Sequence, residues 1–218
     1  MSKDCGDAGQ AFPVYIAAIT GLLFLGFVYF AVGQAAATRN GAQTAADAAA
    51  LAAAQDARDQ LREGWLDVIR DPAQWGSFLQ GKEYDVLSAC DRAAVFAARN
   101  GAEVDDGNCV SLPSGREGFN VTVRTTGTVG RSILPITESQ HATASAKALI
   151  EPKCSFEEPE EPTPEETEPG PEPSGPAEEP DPITGLTCGG VSWTIDLDNP
   201  KLPSATDLFT VRLAGDDE

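Results

Sequence analysis

From Ala11 to Val32 the chain carries no Asp, Glu, Lys, Arg or His, and its core reads PVYIAAITGLLFLGFVYFAV. Wound as a helix, this stretch rises about 33 Å, enough to cross a hydrocarbon layer of about 30 Å. Nothing interrupts it downstream. From Arg39 the text becomes RNGAQTAADAAALAAAQDARDQLREG, without proline and with alanine at ten of its 26 positions. Alanine is the best helix former, so span and stalk predict one continuous rod that stops at Gly64, a residue suited to a helix C-terminus.

Charge narrows the possible partners. Of the 34 acidic side chains, eleven lie between Glu157 and Asp181 with no basic residue among them, and the chain carries a formal charge of −19. Phosphate binding needs clustered Lys and Arg, so nucleic acid is excluded as a partner, and so is attraction to anionic lipid headgroups. Of the five cysteines, Cys5 precedes the apolar run, while Cys90, Cys109, Cys154 and Cys188 follow it. An even count on one side fits an oxidising compartment. No CxxC pair occurs and His141 is the only histidine, which argues against zinc.

Lys3 and Arg39 flank the span almost evenly, so the positive-inside rule barely discriminates. The cysteine split and the large acidic portion set the expected direction: residues 1–10 cytoplasmic, residues 11–33 in the membrane, the remainder outside. A cleaved signal peptide is the rival, with Ala35-Ala36-Ala37 as an A-x-A site. The apolar run exceeds the usual 7–15-residue core and its leading segment is not basic, so retention is expected. No apolar lipobox precedes Cys5.

Gly33, Ala37, Gly41, Ala45, Ala49, Ala53 and Ala57 place a small residue at every fourth position, and Ala17 with Gly21 repeats the spacing inside the span. Such stripes let another helix approach closely. The first six are the expected helix-packing residues of a stalk over 34–64. The plainer reading is that alanine only favours helix, with Arg39, Gln43, Asp47, Gln55, Asp59, Arg62 and Glu63 as the wet side.

GQAFPVYIAAITGLLFLG, a short polar joint and then RNGAQTAADAAALAAA resemble the N-terminal region of TadG- and TadE-like proteins of the tight-adherence (Flp-type) pilus apparatus. Gln43, Ala45, Ala46, Asp47, Ala48, Ala49, Ala50, Leu51 and Ala52 match the family's Q-x-A-A-D-A-A-A-L-A position for position. TadE-like pseudopilins resemble prepilins in carrying a Glu five residues after the processed Gly. Counted from Gly9 that position holds Val14, and from Gly6 it holds Ala11, so the match is closer to the TadG side. The resemblance implies a membrane protein that assembles with other pilus or secretion components, without enzymatic activity, cofactor or small-molecule substrate.

Residues 65–153 are expected to form a small α+β domain. Pro72 and Gly76 break Trp65–Leu79 into short pieces, with Trp65, Leu66, Ile69, Trp75 and Phe78 as core. Glu83–Asn100 predicts a helix whose apolar face is Tyr84, Leu87, Cys90, Ala94, Val95 and Ala98, capped by Gly101. Phe119, Val121 and Val123 alternate with Asn120, Thr122 and Arg124, which predicts a strand. Asn108–Leu112 is its hairpin partner across Pro113-Ser114-Gly115, and Ala142–Ile150 completes an antiparallel sheet packed on the Glu83–Asn100 helix. ACDRAAVFAARNGAEVDDGNCV followed by FNVTVRTTG also resembles actinobacterial TadE/TadG-like ectodomains, which implies a Cys90–Cys109 bond. Asp105, Asp106 and Asn108 around Gly107 lack EF-hand spacing and read as a turn.

Glu157–Pro182 holds nine of the sixteen prolines and no hydrophobic pattern, so it predicts an extended, disordered loop within 154–188. A Cys154–Cys188 bond would tie it off and return 189–218 as strands, Trp193, Ile195 and Leu197 alternating in one and Phe209, Val211 and Leu213 in another. That pairing is favoured because each bond is then local, but four cysteines allow three arrangements. GxSxG, Walker, HExxH and dinucleotide motifs are missing, and Asp196 with Asp198 is a weak carboxylate pair in so acidic a sequence. His141 reads as a strand-edge residue. No enzyme is expected. The fold expected is α+β: a transmembrane helix continuing into an Ala-rich helix, then a disulfide-stapled helix-plus-sheet domain. The function expected is a pilus or secretion assembly component docking through its N-terminal helix, with a surface-displayed adhesive module as the alternative.

Overall fold

The computed structural model describes residues 11–113, 115–128, 139–157, 182–196 and 201–215. Helix α1 runs unbroken from Ala11 to Asp67, 57 residues and roughly 85 Å of rise. It passes through Gly64 rather than stopping there. A side chain on that residue would overlap the Phe78 ring, so the glycine serves close approach, not termination. Pro72 instead opens the next element, a 3-10 turn over Pro72–Gln74, and α2 follows at Trp75–Leu79.

Helix α3 spans Val86–Arg99, with the Asp85 side chain accepting from the Leu87 N–H as a cap. Its buried residues are Ala89, Ala93 and Ala97. The expected apolar face is therefore corrected: Leu87 is 76% exposed, Val95 is exposed, and so are Ala94 and Ala98. Helix α3 packs on the alanine face of α1, and only methyl-sized side chains at four-residue spacing let two such faces close.

The main sheet is antiparallel and is built on β3 (Gly118–Thr125) and β4 (Thr143–Pro152), paired from Gly118↔Leu149 to Arg124↔Thr143. On the far side of β3 lie β1 (Ala102–Glu103) and β2 (Cys109–Ser111), and on the far side of β4 lies β8 (Phe209–Leu213). A second sheet joins β5 (Cys154–Phe156), β6 (Ile183–Cys188) and β7 (Val191–Ile195). The turn α4 (Ala205–Leu208), opened by a Ser204–Asp207 capping box, leads into β8.

The sheet was expected to pack on the Glu83–Asn100 helix. It packs instead mainly on α1, which lies against β3, β4 and β8, while α3 sits beside α1 and meets β1 and β2. Ala45, Ala46, Ala49, Ala50, Ala53, Ala54, Ala57, Leu61 and Trp65 are buried together with Phe119, Val121, Val123, Ala148 and Ile150. The stretch assigned to a stalk is thus, from Ala42 onward, the spine of the domain's own core. The class is α+β, a long N-terminal apolar helix followed by a small domain with antiparallel sheets and two disulfides. Most of Glu157–Pro182, along with Ser114, Leu197 and Asp198, lies outside the described residues.

Candidate membrane span and docking surfaces

Two surfaces follow from how α1 divides. Between Phe12 and Val32 every large apolar side chain is bare, from Val28 at 45% exposed to Tyr29 at 83%. The most apolar window has a mean hydropathy of 2.2 and none of it is buried. Even at about 1 kcal/mol per half-exposed side chain, leaving this surface in water costs on the order of 10 kcal/mol. That equals the whole stability of a typical domain, about 5–15 kcal/mol. By length and composition this helix is able to cross a membrane.

The six helix-packing residues fall on both sides of the division. Gly33, Ala37 and Gly41 are exposed, and a methyl added at Gly33 or Gly41 meets no other atom within 4 Å. Ala45, Ala49 and Ala53 are fully buried inside this chain's own domain. The expectation that all six lie against a partner helix is corrected for these three, because α3 and the sheet already occupy that face.

Polar side chains of α1 hold the domain in register. Gln60 grips the start of α3 twice: its Oε1 accepts from the Asp85 N–H at 2.7 Å and its Nε2 donates to the Asp85 carbonyl at 3.3 Å. Asp56 Oδ2 accepts from Gln60 Nε2 at 2.7 Å and from Ser88 Oγ at 3.3 Å. Arg62 Nε donates to the Pro203 carbonyl at 2.9 Å, pinning the tail, and Gln43 Nε2 reaches the Ser145 carbonyl at 3.4 Å. Sequence reading placed Gln43 and Arg62 on a solvated face, since nothing in a local pattern reveals partners more than a hundred positions away.

Cys90 is bonded to Cys109, joining α3 to β2, and Cys154 to Cys188, across directly opposed residues of β5 and β6. Closing loops of 19 and 34 residues contributes about 3–4 kcal/mol each in the chain-entropy model. Trp65 and Trp75 are buried edge to face at 5.4 Å, and Phe156 lies 4.7 Å from Trp75. Asp105–Asn108 forms a turn, with the Asn108 N–H donating to the Asp105 carbonyl at 3.0 Å and Asp105 3.6 Å from Arg124. His141 precedes β4, its Nδ1 2.6 Å from the Thr125 carbonyl. Among the described residues no group of His, Cys, Asp and Glu is arranged to hold a metal ion.

This is a small α+β domain assembled around the C-terminal half of a helix whose N-terminal half is apolar and uncovered. Residues 9–56 match a family model described as Putative Flp pilus-assembly TadE/G-like. The resemblance carried by Gln43–Ala52 is thereby borne out, and the matched segment covers both the bare half of α1 and the first turns of the buried half. Over that segment, about a fifth of its length, the chain is similar to Flp pilus-assembly TadE/G-like proteins. No curated protein and no solved structure matches it.

Proposed function

We propose that the protein is a membrane-anchored, non-enzymatic component of a Flp/Tad-type pilus or secretion apparatus. The N-terminal half of α1 crosses the membrane from a cytoplasmic N-terminus, and the disulfide-bonded domain lies outside. Docking on other assembly proteins uses the uncovered half of α1, with Gly33, Ala37 and Gly41 as the close-approach positions. The observation that carries this reading is the apolar, wholly exposed window at the N-terminal end of a helix that is also the domain's core. Both disulfides lie on the domain side, which supports an oxidising location. The adhesive alternative loses its aromatic surface, since Trp65 and Trp75 are fully buried.

Fractionation with alkaline carbonate tests the anchor. The intact chain is expected to stay with the membrane and a chain beginning at Gln34 to be released, with protease added to intact spheroplasts digesting the domain. Release of the intact chain by carbonate, or protection of the domain, overturns the reading. For docking, Gly33→Leu with Ala37→Leu is expected to reduce co-purification of pilus components while the domain's melting temperature stays unchanged.

A further inference from the structure

The end of the main sheet remote from the Gln43–Ser145 contact carries an open cleft of about 1000 Å³. Lys82, Tyr84, Arg116, Glu117, Glu151 and Arg212 line it, with Leu149 and Ile150 of β4 beneath them. Arg212 is paired with Glu151 at 2.7 Å, which leaves Lys82 and Arg116 against the Glu117 carboxylate. The two cations come from separate segments, Lys82 from the connection between α2 and α3 and Arg116 from that between β2 and β3. Arg116 is exposed and makes no ion pair among the described residues, and Lys82 Nζ donates to a neutral partner, Gln80 Oε1, at 2.7 Å. The lining thus carries one positive charge in balance, on a chain of net charge −19. The Tyr84 ring, half-buried and tilted against Phe119 at 5.6 Å, gives the cleft an aromatic wall. Burial, and then the Glu117 carboxylate, raise its hydroxyl above the ordinary value of 10.0, which keeps it a neutral donor.

We propose that this cleft binds a carboxylated saccharide. Lys82 and Arg116 take the acidic group, Tyr84 lies under a sugar ring, and Gln80, Ser111 and the Arg212–Glu151 pair meet the hydroxyls. Recognition here has to come from side chains. Leu149 is paired with Gly118 on one side and Arg212 on the other, and Ile150 lies in the same way between Glu117 and Val211, so the floor offers no open strand edge. The strand on the rim, β2, is three residues long. A peptide docking by strand addition needs a longer edge, and a proline-rich one needs a groove lined with several aromatic rings, where this cleft has Tyr84 alone. A sugar asks for the reverse: one apolar ring face to lie on, and forked polar groups around it. Charge selects the acid. A phosphate monoester brings about 1.5–2 negative charges to a site that also holds Glu117, whereas one carboxylate matches the balance and fits the Arg116 fork. Lipid headgroups are out of reach when the N-terminal half of α1 is the anchor. Gln60 is bonded to Asp85, next to Tyr84, and the helix between Val32 and Gln60 rises roughly 42 Å, several times the Debye length of about 8 Å. The ligand is additional to the assembly role, and its binding rests on the folded domain alone, so it survives a failure of the membrane reading.

Thermophoresis of the labelled full chain in non-ionic detergent, titrated with tetragalacturonate, tests it. Saturable binding is expected with a Kd of about 1 mM or tighter. The fully methyl-esterified tetramer keeps every ring but loses the charge, and hexaglutamate keeps charge but has no ring; each is expected to bind about tenfold more weakly. Arg116→Glu turns an attraction into a repulsion and is expected to weaken tetragalacturonate binding by about fivefold. Arg39→Glu makes the same charge change at an exposed position of α1 outside the cleft, and is expected to alter the Kd by less than about twofold. No saturable binding up to about 10 mM overturns the proposal, as do equal losses from Arg116→Glu and Arg39→Glu. Hexaglutamate bound as tightly as the saccharide also overturns it, by assigning the cleft to acidic peptide.

Discussion

The two halves of α1 are built from the same small and aliphatic alphabet, yet one is bare and the other is the centre of a domain. From Phe12 to Val32 the large side chains point outward on every side, whereas from Ala42 to Trp65 the residues facing inward are almost all alanine. Large side chains all round suit a solvent that is itself apolar, because lipid fills the gaps between them. Alanines on one face suit a neighbour that must come close, because backbone and sheet fill the gaps instead. Hydrophobicity therefore tells little about which half lies inside protein; side-chain size tells more.

The sharpest way to break this contrast is to put one enlargement on each side of the division. Ala49→Leu forces a large side chain between α1, α3 and the sheet and is expected to cost about 1–3 kcal/mol or more. Ala37→Leu, on an exposed position, is expected to stay within about 0.5 kcal/mol. Thermal melts of the two variants in the same detergent decide it, and equal melting temperatures would mean that the two halves do not differ as described.

A smaller effect reverses sign between the halves. At Gly33 an added methyl meets nothing within 4 Å, so Gly33→Ala gains helix propensity of up to about 1 kcal/mol. At Gly64 the same methyl overlaps the Phe78 ring, and Gly64→Ala is expected to lower domain stability by about 1 kcal/mol net, the overpacking exceeding the propensity gain. Urea titration of the domain's tryptophan fluorescence reads the Gly64 effect, and a stabilised Gly64→Ala variant would remove the packing account of that residue.

The smallest effect is a pH dependence confined to the folded domain. Asp207 accepts from the Ser204 hydroxyl and N–H, and these bonds hold its carboxyl below the ordinary 3.8. A lowered folded value means that the cap's contribution is fully present above the ordinary carboxylate range and is lost as pH falls through the lowered one. Amide exchange at Asp207 and Leu208 is expected to quicken only under such acid. Between Phe12 and Thr38 α1 holds no carboxylate, and its exchange should carry no matching transition.

Much of this was readable along the chain. The apolar run and the alanine run each favour helix residue by residue, and the alternation Phe119-Val121-Val123 defines β3 together with its wet face. The Cys90–Cys109 bond followed from the family-like helix, turn and strand around it. The inward face of α3 was not readable, because Leu87 and Val95 look more hydrophobic than Ala89, Ala93 and Ala97. Nor was the role of Gly64, since a glycine after a polar helix reads the same whether it ends the helix or clears space for an aromatic ring.

Local chemistry, then, was enough to make one long helix, to render its first half unfit for water and to mark β3 as a strand with one wet face, because propensity, periodicity and the absence of charge act within a few residues of one another. Whether the alanine stripe meets a foreign helix or the chain's own was settled by packing. A small-residue face is complementary to any close neighbour, and here the tethered α3 and the β3–β4 sheet cover it within the same chain.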